Sequence, residues 1–136
     1  MVLRTADITD IQCGATNELQ TQLLAAEELV QQIPFGSHFD LRDWKSILTQ
    51  LSQQHGILIL EEELSDDQVF LIGKVQKITS KSARILYFSG AGNWDEKPSK
   101  LALAKITACQ VDTNYINVYQ RHFDRCALLA SESTTP

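Results

Sequence analysis

The sequence predicts an α+β domain with two N-terminal helices followed by a five-stranded antiparallel small β-barrel. Three observations predict it. Apolar residues recur at steps of three and four up to Leu51, the spacing of a helix face. From Ile57 onward the apolar period falls to two, the period of a strand. Polar turns then punctuate short runs at regular intervals, the mark of a meander that hides its edges by closing. The expected division is residues 1–56 as a helical region packed on the barrel, 57–125 as the barrel, and 126–136 as a flexible tail.

The elements follow in chain order. In TNELQTQLLAAEELVQQI, Leu19, Leu23, Ala26, Val30 and Ile33 form one stripe. Thr16 or Asn17 can cap its start and Pro34 stops it. Leu24 and Leu29 widen the stripe, which favours packing on a core over a bare two-stranded seam, although a partner-binding helix would look the same. Ser37 with Asp40 has the outline of a capping box ahead of FDLRDWKSILTQLSQQ, whose apolar positions are Leu41, Trp44, Ile47, Leu48 and Leu51. His55-Gly56 ends that helix, glycine suiting a left-handed position. The expected strands are GILILEEE, QVFLIGKVQKI, ARILYF, KLALAKITACQV and YINVYQRHF. Gly73 inside the second predicts a sharp bend.

Composition narrows the function classes. The chain has 136 residues, 43% hydrophobic and 21% charged, in the range of one ordinary globular domain. The start MVLRTADITD lacks the apolar run of a signal peptide, and no apolar stretch approaches the roughly 20 residues of a membrane span. Cys13, Cys109 and Cys126 have no paired spacing, which predicts reduced thiols and a cytoplasmic setting. The net charge of −5 is uneven: −7 up to Ser65, +3 from Asp66 to Arg125. A basic second half is open to a polyanion, or the halves differ only in their solvated faces.

The pattern of a helix running into five strands, a long glycine-bearing second strand and the closing KITACQVDTNYINVY resembles the Sm-like (SH3-like) small barrel. With Gly92, Trp94 and Asp95 in the G-x-W/F-D arrangement between the third and fourth strands, it is similar to a group of uncharacterised bacterial proteins of that fold. The resemblance covers Leu41 to Phe123 and implies a barrel that forms rings and contacts single-stranded RNA through its loops. The family's RNA motifs are missing: KITSKSARI lacks the Asp and Asn of the first, and VDTNYI lacks the Arg-Gly or Lys-His of the second. The RNA function is therefore not carried over.

No catalytic, cofactor or metal site is expected. The loop FSGAGNWDEKP leads into a strand and carries Asp95 and Glu96, whereas a phosphate loop leads into a helix. Trp94 is expected to anchor this loop by folding onto the barrel end. His38, His55 and His122 stand apart, and His122 with Cys126 supplies only two of the ligands a zinc site needs. Cys109 reads as core, no base is nominated for Cys13, and Glu61, Glu62 and Glu63 read as a charged strand end.

Lys74, Lys77, Lys81, Arg84, Lys97 and Lys100 with Tyr115 and Tyr119 are the candidate partner or nucleic-acid contacts, a cationic rim beside stacking rings. The first expectation is a non-enzymatic interaction module that self-associates through its helices or barrel edge strands. The second is a binder of single-stranded RNA or DNA using the lysine-rich hairpins.

Overall fold

The computed structural model describes residues 1–32 and 39–132. They form two compact units, residues 5–39 and residues 1–4 with 40–136. All twelve lysines and arginines belong to the second unit, balanced by twelve acidic residues, so the five acids of residues 5–39 account for the net charge of −5.

In the first unit α1 spans Ala15–Ala26, between 3₁₀ turns at Thr5–Asp7 and Val30–Gln32. The Gly14 N–H donates to Asn17 Oδ1 at 3.0 Å, so Asn17 caps from inside the first turn. The helix stops at Ala26, because Glu28 turns left-handed with φ 57°, a costly conformation for a residue with a Cβ. Ile33, Pro34 and the expected capping residue Ser37 lie outside the described residues. No residue of α1 is buried.

The second unit holds α2 (Trp44–Gln54), α3 (Asn114–Glu132) and the strands β1 (Val2–Leu3), β2 (Leu58–Glu62), β3 (Val69–Ile78), β4 (Ser82–Tyr87), β5 (Ser99–Ala102) and β6 (Ala108–Gln110). Asp43 caps α2, accepting from the Ser46 N–H at 2.7 Å, and Ile47, Leu48 and Leu51 are its buried stripe. Gly56 follows the helix without a positive φ, so the left-handed cap expected there is not formed.

The strands make one antiparallel sheet in the order β1-β6-β2-β3-β4-β5. It is open, with β1 and β5 as its edges, and the expected closed five-stranded barrel is corrected to this six-stranded sheet. Two departures from the sequence reading account for the difference. KLALAKITACQV is not one strand: a 3₁₀ turn at Leu103–Lys105 divides it into β5 and β6. YINVYQRHF is not a strand but the start of α3. Asp112 turns left-handed with φ 54°, and Thr113 Oγ1 accepts from the Ile116 N–H at 3.2 Å, which starts the helix. Residues 126–132, expected in a flexible tail, continue α3.

Alternate residues of β2 serve the two faces of the sheet. Ile57 and Ile59 join Ile72, Phe88 and Ile116 of α3 in one buried cluster. Leu58 and Leu60, also buried, point the other way. The buried residues of α2 stand outside that cluster and serve this second face, where α2 lies against β3. Gly73 lets β3 and β4 approach: a Cβ there would stand 2.0 Å from the Leu86 carbonyl oxygen, far inside contact distance. The bend expected at Gly73 is thus a close backbone approach. The ladder is irregular a little further on, between Val75 and Lys77, where a bulge turns the strand.

Candidate functional site: a basic sheet face

The face bearing Phe88 changes character along β4. Phe88 is fully buried, Leu86 half-buried and Arg84 exposed. These residues share a face because they are two apart. α3 covers the Phe88 end, where Tyr119 and Phe123 meet the Phe88 ring at centroid distances of 4.8 and 4.9 Å. Beyond Leu86 the face is open. There the register sets Lys77 beside Arg84 and Arg84 beside Lys100, a row of cations across β3, β4 and β5. Their neighbours Ala83, Ile85 and Leu101 point to the opposite face and are buried.

The β3–β4 hairpin adds a fourth cation. The Thr79 N–H donates to the Ser82 carbonyl at 2.8 Å, and Thr79 Oγ1 accepts from the Ser82 N–H at 3.0 Å, fixing a tight turn with Ser80 and Lys81 at its tip. Lys77, Thr79, Ser80, Lys81, Ser82, Arg84 and Lys100 line a concavity of about 350 Å³, and no acidic residue is among the described residues that line it. None of the four cations is ion-paired among the described residues; Arg42–Asp40 and Lys105–Glu62 are ion pairs elsewhere in the chain. Like charges held side by side repel, so the arrangement favours an anion.

The other predicted contacts lie elsewhere. Lys74, on the same face, sits over the Trp94 ring at 5.2 Å from its centroid, within the range of a cation–π contact. Trp94 packs on Phe88 at 5.1 Å and Phe123 at 4.6 Å, and a bridge between Phe88 and Trp94 closes the loop. The loop is an anchored turn, with Gly92 at φ 77° and Asp95 and Glu96 exposed. The Tyr119 hydroxyl donates to the Gly90 carbonyl at 3.0 Å. Tyr115, about half exposed, meets Tyr119 edge-on at 5.2 Å, and this neighbour raises the Tyr119 phenol above its ordinary pKa. Lys97 is exposed in the β4–β5 loop and does not line the concavity. Sequence reasoning missed Thr79, Ser80 and Ser82, although the polar turn TSKS carried the signal.

The remaining chemistry is sparse. Cys109 is fully buried, and burial pushes its thiol up to about 12, which suppresses the reactive thiolate. Cys126 Sγ stands 3.8 Å from His122 Nε2 on the exposed side of α3. His38 lies outside the described residues. Among the described residues no three potential metal ligands cluster, and no helix is long and apolar enough to cross a membrane.

Fold and site together define a mixed α+β protein with a six-stranded antiparallel sheet and one basic sheet face. No protein-family model, no curated protein and no solved structure matches the chain.

Proposed function

We propose that the chain is a non-enzymatic binding module that holds single-stranded nucleic acid on the basic face of β3, β4 and β5. One observation carries this reading: Lys77, Lys81, Arg84 and Lys100 converge on one concavity with no acidic residue among the described residues that line it. Backbone phosphates occupy such a surface through counterion release, without sequence preference. Lys74 over Trp94 continues the face toward rings, the pairing of cation and aromatic that single strands use. The net charge of −5 is no obstacle, since local field and not net charge decides where an anion docks.

In the same proposal the sheet is an opened relative of the Sm-like small barrel in a cytoplasmic bacterial protein. The meander from β2 to β6 turns back to pair β6 with β2, as closing a small barrel requires, and the thiols are unpaired.

Titrating the protein into fluorescent single-stranded RNA and DNA at rising salt tests the function. With four phosphates neutralised, log K should fall against log salt with a slope of roughly −3, at about 0.7 per contact for a single strand. Absence of binding at low salt would remove the reading.

A second reading, self-association with another copy, is supported by a different observation. Leu128 and Leu129 are each 64% exposed at the end of α3, and Leu19 and Leu23 of α1 are more than half exposed. The sheet edges β1 and β5 are also unpaired among the described residues. Sedimentation giving one monomer mass at every concentration would eliminate it.

A further inference from the structure

We infer that the concavity at the β3–β4 hairpin prefers the terminal phosphomonoester of a strand to the diesters along it; this rests on the nucleic-acid reading above. The cations are distributed in a way that separates the two. A surface that follows a backbone spaces its charges along a track. Here Lys77, Arg84 and Lys100 stand abreast on adjacent strands, about 4.8 Å apart from one strand to the next. The outer two are therefore only about 10 Å apart at their Cα atoms by that spacing, within reach of a shared ligand for side chains of this length. Lys81 closes the same concavity from the hairpin tip, and Ser80 adds a hydroxyl with no hydrogen bond among the described residues. Lys74 and Lys97 are not part of the lining.

Four cations converging on one place suit a concentrated negative charge. A backbone diester carries one charge, while a terminal monoester carries about −1.5 to −2 at neutral pH and three acceptor oxygens. Arg84 can engage two of those oxygens at once through its guanidinium fork. Lysines from both sides then supply point charges to the remaining oxygen. The strand leaves the concavity along the face that leads by Lys74 to Trp94. Free phosphate and a mononucleotide share the head-group chemistry, but they lack the remainder of the strand that this face would contact.

The test uses the full chain and three versions of one short single-stranded oligonucleotide, with a 5′-phosphate, with a 3′-phosphate, and with hydroxyls at both ends. Each carries its dye on an internal base. A phosphorylated end should bind about tenfold tighter or better, the scale of one added charge-assisted hydrogen bond. Arg84→Gln, on a fold checked by circular dichroism, should abolish that preference. Equal affinity for all three oligonucleotides would overturn the inference and leave the nucleic-acid reading standing. Absence of binding by any of them would take down both. Competition by inorganic phosphate or a mononucleotide at the concentration at which the phosphorylated oligonucleotide competes would also overturn it, by assigning the concavity to a small phosphate.

Discussion

The two ends of one sheet face differ more than the two faces do. At the Phe88 end, just past β4, the rings of Trp94 and of Tyr119 and Phe123 from α3 meet the Phe88 ring at about 5 Å. At the Arg84 end, four residues along the same strand, only charged and hydroxylated side chains remain. The same two strands pair at both ends, from Gly73 with Tyr87 to Ile78 with Ala83, with one bulge between Val75 and Lys77. The difference therefore arises in what covers the strands and not in the strands. α3 reaches Phe88 through Ile116, Tyr119 and Phe123, and its covering side chains lie one helical turn apart. One pair of strands can thus be core at one end and an open, charged surface at the other.

The largest expected effect falls on the covered end. Phe88→Ala should cost about 3–5 kcal/mol, as for other large buried aromatics, read as a loss in urea midpoint at unchanged slope. A cost under about 1 kcal/mol would mean that α3 does not seal this end.

An intermediate effect is expected at the start of α2, which covers the other face. The Ser46 backbone N–H holds the Asp43 carboxyl below the ordinary carboxylate range. A carboxyl depressed in the folded state adds stability above its unfolded pKa of about 4, and that stability is lost as pH falls through the lower folded value. Asp43→Ala should therefore lower the melting temperature at neutral pH. The gap to the parent should close in acid, and a gap independent of pH would show that the cap is not electrostatic.

The smallest stability effect belongs to the open end. Arg84→Gln should stay within about 0.5 kcal/mol of the parent, as exposed substitutions do. In the same protein the salt slope for a single strand should lessen by about 0.7. Loss of stability without loss of binding would reverse the roles assigned to the two ends.

Much of this was legible before folding. The stripe Ile47, Leu48 and Leu51, the strands β2, β3 and β4, and the anchoring role of Trp94 all follow from local period and ring chemistry. The run YINVYQRHF was not, because its residues alternate as a strand would while Ile116, Tyr119 and Phe123 also recur at helical steps. The Thr113 cap and the left-handed Asp112 break that tie in three dimensions. β1 was missed because two residues, Val2 and Leu3, carry no period.

The residue types mark every positive charge, and local pattern marks most of the helices and strands, since these depend on neighbours a few positions apart. That the sheet stays open, and that Lys77, Lys81, Arg84 and Lys100 share one concavity, comes from how the strands are arranged in space. Register between strands brings together residues as far apart as 77 and 100. No local pattern encodes that pairing, because it depends on which strand lies beside which and on the hairpin that sets their alignment.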